Sequence, residues 1–392
     1  MTDPRSATRV VGVDIARFVA LVGMMATHIL PSFEDGTTEL TFAQSVAGGR
    51  ASALFAVLAG VSLALTTGRT NPVRGREFVA AAAGVAVRAI LIAGIGLAIG
   101  KFESGIAVIL TYYGVLFLLG IPFLMLRTPW LLALAAIWLA VVPVIAHLVR
   151  PQLPARGYDN PSFESLDDWG RLLGELTFTG YYPAVPWLAY LLVGLAIGRM
   201  DLTQWRAQAV LAAVGGVLVL VVVLVSDALL RRPGVKDELA ESFSIVSLEQ
   251  SLAEGTFGNT PTDSWWWLAV RAPHSATSFD LAQTIGSALL VLSACLVLGR
   301  LLPSFSAVLF GAGAMTLTLY TAHVLLRVEV WDDETMSTYV GQLSAAIAVG
   351  AVFALTATRG PLEALVAALS KVARRVIGGR PRPVDRDLRS AS

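Results

Sequence analysis

The stretch "RFVALVGMMATH" opens with Arg17 and closes with His28. An imidazole titrates near neutral pH, so it can take a proton from a hydroxyl or an amine and return it. A guanidinium stays charged and holds anions. His28 comes eleven positions after Arg17, so on a helix, at about 100° per residue, the two side chains fall about 20° past three turns. They share one face, separated by roughly 16–17 Å along the axis. The simpler alternatives are an Asp14–Arg17 ion pair one turn apart, and a surface imidazole bonded to backbone or lipid headgroup.

Three further histidines follow, His147, His274 and His323. His323 ends a late apolar run and is the second catalytic candidate; His147 and His274 read more simply as structural. A catalytic imidazole is often oriented by a carboxylate. Asp14 lies about 21 Å from His28 along the helix, too far to serve. Glu34 and Asp35, or Asp332, Asp333 and Glu334, are within reach of one histidine or the other.

These residues need a scaffold, and composition says which kind. Of 392 residues, 55% are apolar and only 15% charged, with mean hydropathy +0.69. A soluble domain carries about a quarter charged residues. The chain is therefore read as an all-α, polytopic integral membrane protein. Lone Cys295 excludes an intrachain disulfide and a cysteine-rich metal site; no metal and no nucleic-acid partner is expected.

A span needs roughly 20 mostly apolar residues. Ten such runs stand out, near 9–31, 50–68, 77–99, 104–126, 130–149, 182–199, 206–229, 281–300, 306–327 and 338–357. The first lacks a cleavage motif and is expected to remain as a membrane helix. With the N-terminus inside, inner segments hold seventeen basic and six acidic residues, outer segments ten basic and twenty-one acidic. The positive-inside rule then makes both termini cytoplasmic and puts the long connections 150–181 and 230–280 outside.

Residues 1–357 form the membrane domain in this reading. The segment 358–378 has apolar positions at helical spacing (Leu362, Leu365, Val366, Leu369, Val372, Val376), which predicts an amphipathic helix on the inner leaflet. The tail 379–392 is expected to be disordered.

Asp14, Arg17 and Arg88 are the charges deep within spans, each costing at least about 2.5–3.5 kcal/mol there. Such residues usually face a bundle interior or a wet cavity. The consecutive Trp265, Trp266 and Trp267 suit an interfacial belt or a sugar-stacking platform.

The arginine, ten residues, histidine spacing resembles the hallmark of the acyltransferase-3 proteins. "ALFAVLAGVSLAL" (Ala53 to Leu65) is similar to their second helix, and "MTLTLYTAH" (Met315 to His323) to their late tyrosine–histidine motif. As a whole the chain looks closest to bacterial relatives of heparan-α-glucosaminide N-acetyltransferase. "GVDIARFVALVGMMATH" and "PWLAYLLVGLAIGR" (Pro186 to Arg199) are similar to helices of that branch. The resemblance covers residues 9 to about 357. Phe18 stands where the acyltransferase-3 pattern has glycine. In the heparan branch the histidine sits slightly later, yet here none occurs between His28 and His147.

The resemblance implies transfer of an acyl group, commonly acetyl, from cytoplasmic acyl-CoA to a hydroxyl or amine of an extracytoplasmic glycan or glycolipid. His28 and His323 would be catalytic, His28 as base or nucleophile. Arg17 and Arg88 would hold the acetyl-CoA donor. Arg50, the three tryptophans and Tyr320 would serve the acceptor, Arg50 as an oxyanion donor. The setting would be the cell membrane, with membrane lipids as partners and a homodimer compatible with it. A transporter or flippase for an envelope lipid or small solute is the rival, because that class also places ionisable groups at mid-membrane.

Overall fold

The computed structural model describes residues 10–157, 159–243 and 247–378. In chain order the helices begin with α1 (Val11–Ile29), α2 (Phe42–Ala47), α3 (Arg50–Thr66), α4 (Gly75–Gly100), α5 (Leu110–Gly120) and α6 (Thr128–Val149). There follow α7 (Trp169–Gly174), α8 (Ala184–Gly198), α9 (Trp205–Leu230), α10 (Val235–Ala240) and α11 (Leu248–Glu254). The chain continues with α12 (Ser278–Leu301), α13 (Pro303–Leu309), α14 (Thr316–Glu329), α15 (Met336–Leu355) and α16 (Pro361–Gly378). Among the described residues no strand is found beyond an isolated bridge between Phe33 and Leu40. An all-helical answer suits hydrocarbon, where each backbone polar group must be satisfied within its own segment.

Among the described residues, seven segments are long and apolar enough to cross a membrane: α1, α2 with α3, α4, α6, α9, α12 and α15. An eighth arises if α7 and α8, bent by 48° at their break, count as one. Burial sorts these into a centre and a ring. In α1, 67% of the apolar window is buried, against 22% in α9. On α9, Val210, Val214, Val217, Val221 and Leu224 stand exposed at helical spacing, an apolar stripe that suits lipid.

Two of the ten expected spans take another form. The run 104–126 becomes helical only at Leu110. Asn160 holds the preceding turn, accepting from Val108 N at 2.8 Å and donating to the Ile106 carbonyl at 2.7 Å. The run 306–327 is broken into α13, a 3-10 turn over Gly311–Ala314, and α14. Gly313 explains the break, because a Cβ there would collide with the Asp14 carbonyl. The turn is seated on the backbone of α1, and α14 starts afresh beyond it.

Both long connections are structured. The segment 150–181 carries α7 between a 3-10 turn and a π-helical turn. The segment 230–280 holds α10, α11 and a 3-10 turn over Trp265–Ala269, packed on a small core of Val235, Leu239, Leu248, Trp267, Val270 and Ala272. The two connections touch at Gly258. Its φ of +83° favours glycine, and a Cβ there would strike the Gly180 carbonyl.

Residues Pro361–Gly378 form α16. It packs along α4, and Arg374 Nη1 donates to the Thr66 carbonyl at the end of α3, 3.0 Å away. Leu365, Leu369, Val372 and Val376 remain exposed on it. Near its start, Glu363 accepts from Leu317 N at 2.7 Å and Thr318 N at 3.1 Å, capping α14. The expected disordered tail 379–392 lies outside the described residues.

Candidate active site

α1 is helical through Ile29, so Arg17 and His28 stand on one helix as the spacing requires. What α1 cannot specify is what meets them. Across from His28 comes α14, restarted after the Gly311–Ala314 turn. His28 Nδ1 lies 3.1 Å from His323 Nε2, with ring centroids 5.3 Å apart and planes within 8° of parallel. Behind His323 stands α15, whose Gln342 places Oε1 2.6 Å from His323 Nδ1. His323 is 2% exposed and Gln342 3%, so water does not compete for these bonds. Arg327 braces the connection between α14 and α15, with Nη1 donating to the carbonyls of Trp331, Asp332 and Asp333.

With the Gln342 amide oxygen facing His323, one arrangement of protons follows. An amide oxygen only accepts, so His323 Nδ1 carries the hydrogen and His323 Nε2 offers a lone pair. His28 Nδ1 must then donate to His323 Nε2. That leaves His28 Nε2 unprotonated, the form a general base needs. The orienting group is an amide acting through a second imidazole, rather than any of the carboxylates considered from sequence. Glu34, Asp35, Asp332, Asp333 and Glu334 are all exposed.

His28 lines a cavity of about 950 Å³. Its walls come from α1, the α2–α3 junction, the turn after α4 and both long connections; Glu175, Tyr181, Tyr182 and His274 are among them. His274 sits in a packed aromatic group, with ring centroids 4.7 Å from Tyr181 and 5.5 Å from Tyr182. Burial, reinforced by the nearby Arg156 charge, pulls its imidazole down to about 3, so His274 is neutral in ordinary buffers.

The other expected site residues are distributed differently. Arg17 is engaged: Nη1 donates to Asp14 Oδ1 at 2.7 Å and Nη2 to Ser62 Oγ at 2.6 Å. Arg88 places its guanidinium 5.1 Å from the Phe117 ring centroid, with Arg17, Glu363 and Arg374 as charged neighbours. The two arginines expected to hold the donor are thus brought into one cluster. Arg88 Nε is buried with no hydrogen-bond partner among the described residues.

Arg50 Nη1 donates to the Ser45 carbonyl at 2.7 Å. Tyr320 is buried, its hydroxyl accepting from Ile109 N at 3.2 Å and donating to the Ala107 carbonyl at 3.4 Å. Trp265 is exposed and lies against His147, 4.8 Å between centroids, while the Trp266 ring lies 5.8 Å from Arg232. Trp267 is fully buried and donates to Ser242 Oγ and Asp263 Oδ1, both at 3.1 Å. None of these five is among the residues lining the His28 cavity.

Gln342 carries no charge, so the pattern of ionisable residues does not point to it. An amide in the apolar run 338–357 is also costly to bury in hydrocarbon, and that cost was the signal available.

Fold and site together define a multi-pass membrane protein with a paired imidazole at the edge of a large cavity. The family model for the catalytic region of heparan-alpha-glucosaminide N-acetyltransferase matches residues 9–230, and the chain belongs to that family. It is a membrane acetyltransferase by that membership. The matched stretch includes Arg17, His28 and Arg88 and ends before His274, His323 and Gln342. No curated protein matches the chain.

Proposed function

We propose that this protein moves an acetyl group from acetyl-CoA to a hydroxyl or amine of an extracytoplasmic glycan or glycolipid of the cell envelope. The observation that carries the reading is the ordered chain Gln342–His323–His28, which leaves one unprotonated imidazole nitrogen at a cavity wide enough for a sugar. Family membership supplies the acetyl chemistry.

In the proposed reaction the acceptor oxygen or nitrogen attacks the thioester carbonyl carbon while His28 Nε2 takes its proton. The tetrahedral intermediate then collapses, the carbon–sulfur bond breaks, and the proton passes to the departing thiolate to give free CoA. His323 Nε2 accepts from His28 Nδ1–H throughout and so steadies the imidazolium that forms. It does this as a neutral partner, kept in the right tautomer by Gln342.

The CoA moiety is a polyanion, and the Arg17–Arg88–Arg374 cluster offers it a favourable potential at the other end of the bundle. That end also carries the basic excess that orients the chain with its termini in the cytoplasm. In this arrangement α16 rests on the inner leaflet by its exposed apolar positions. The cell membrane is the proposed location.

The test uses proteoliposomes containing the full chain, with acetyl-CoA and a panel of sugars and glycolipids. Acceptor-dependent release of free CoA, lost in His28→Ala, is the expected result. CoA release that proceeds undiminished in His28→Ala, or none with any acceptor, overturns the reading.

A further inference from the structure

α14 carries His323, yet its own sequence supplies no cap to start it. The N-cap position is Met315, whose side chain caps nothing, and the chain has just left the Gly311–Ala314 turn seated on α1. The first backbone N–H groups of any α-helix lack partners within it. Here two of them are met from α16: Glu363 Oε1 accepts from Leu317 N at 2.7 Å and from Thr318 N at 3.1 Å. Glu363 Oε2 accepts from Thr318 Oγ1, which in turn accepts from Leu362 N at 3.2 Å. One carboxylate and one hydroxyl thus join the start of α16 to the start of α14 through four hydrogen bonds. A negative charge at this end also suits the helix dipole.

The backbone makes room for this contact. A Cβ on Gly360 would collide with Glu363 Oε2, Met315 Cβ and Thr318 Oγ1. The turn leading from α15 into α16 passes through Ala357 at φ +54°, a conformation that residues with a side chain seldom adopt. Strain of this kind persists only where the surrounding structure enforces it.

His323 stands about 7.5 Å beyond Thr318 along α14. That helix is also held by the Tyr320 hydroxyl on Ile109 N, by Gln342 on His323, and by Arg327 at its far end. All of these act at Tyr320 or later, and among them only Glu363 grips the first turn. A slide of α14 along its axis would open the 3.1 Å approach of His323 Nε2 to His28 Nδ1, and a misplacement of about 1 Å can cost about 10²-fold in rate. Glu363 is also a charged neighbour of Arg88, so its charge and its acceptor oxygens are two separable properties.

We infer that Glu363 is a positioning residue for the His28–His323 pair: from α16 it caps α14 and so sets where His323 stands against His28. This rests on the transfer role proposed for that pair and brings α16 into its support.

Two variants separate the cap from the charge. Glu363→Gln loses the charge, but its amide oxygen still accepts from Leu317 N and Thr318 N, and its NH2 finds Thr318 Oγ1 as acceptor. Glu363→Asp keeps the charge and falls one methylene short of α14. The full chain in nanodiscs, its histidines labelled for nitrogen NMR, gives imidazole signals from His28, His147, His274 and His323. With neither acetyl-CoA nor acceptor present, Glu363→Asp is expected to move the His28 and His323 signals and leave those of His147 and His274 in place. Glu363→Gln is expected to move none. In CoA release, kcat is expected to fall about tenfold in Glu363→Asp at unchanged KM for acetyl-CoA, and to stay within about threefold of wild type in Glu363→Gln. Wild-type imidazole signals in Glu363→Asp, or movement of all four, overturns the inference. So does a Glu363→Gln chain in which the pair is disturbed, and that variant decides alone should the shorter side chain prevent folding. Because the signals are read without substrate, a protein that releases no CoA but whose signals behave as stated sinks the transfer reading and leaves the placement of His323 by Glu363 intact.

Discussion

The two chemical groups of α1 make an instructive pair. Arg17 sits deep in the bundle and two of its donors are met, by Asp14 and Ser62. His28 sits near the helix end, and only its Nδ1 is met, by His323. The deep charge is largely compensated because hydrocarbon penalises an unpaired ion by several kcal/mol. The imidazole beside the cavity is left half-satisfied, which suits the proposed role of binding and releasing a proton. Depth marks where a charge must be held, and incomplete satisfaction marks where chemistry is available.

The comparison breaks most visibly if the half-satisfied group is dispensable. His28→Ala is expected to lower acetyl transfer about 10²–10⁴-fold, the usual contribution of a positioned general base, as read by CoA release. Next comes its support. Gln342→Leu removes the acceptor that fixes the His323 tautomer, and a drop of about 10–100-fold is expected, the range seen when groups orienting a functional histidine are lost. Stability should change little, because leucine fills nearly the same volume; a large loss of Tm would instead make Gln342 a structural residue.

The pH profile sharpens the same contrast. If His28 is the base, transfer is expected to fall on acidification, as read by CoA release against pH. His274 stays neutral down to about 3, so that limb belongs to the His28–His323 pair and should survive in His274→Asn.

At the other end the effects are smaller and fall on a different readout. Arg17→Lys keeps the charge and loses the fork that reaches Asp14 and Ser62 together. It is expected to raise KM for acetyl-CoA several-fold. Ser62→Ala removes one hydrogen bond to a charged group, about 1.5–3 kcal/mol, and should lower Tm with little change in kcat. If Ser62→Ala cuts kcat as deeply as Gln342→Leu, the division of roles along α1 is wrong.

Much of this molecule was legible in its residues. Long apolar runs announced the membrane helices, and α16 matched its amphipathic spacing over 361–378. The run 306–327 misled because apolarity says where a chain prefers hydrocarbon and nothing about where a neighbouring backbone requires a turn. Gly313 is a small apolar residue in the sequence; only its contact with the Asp14 carbonyl makes it the break. The carboxylates nearest the histidines along the chain, such as Glu34 and Asp332, are exposed. The actual partner, Gln342, is nineteen residues from His323 and on another helix.

By itself the sequence determined that the chain is helical, belongs in a membrane, and puts Arg17 and His28 on one face. Hydropathy and the helical period are local properties that survive any arrangement of the helices. Only the tertiary structure decided that His28 meets His323 across 295 positions of chain, that Gln342 stands behind His323, and that His28 and His274 line one acidic cavity. Those outcomes depend on which helix faces pack together, and packing is a property of the whole bundle that no single segment carries.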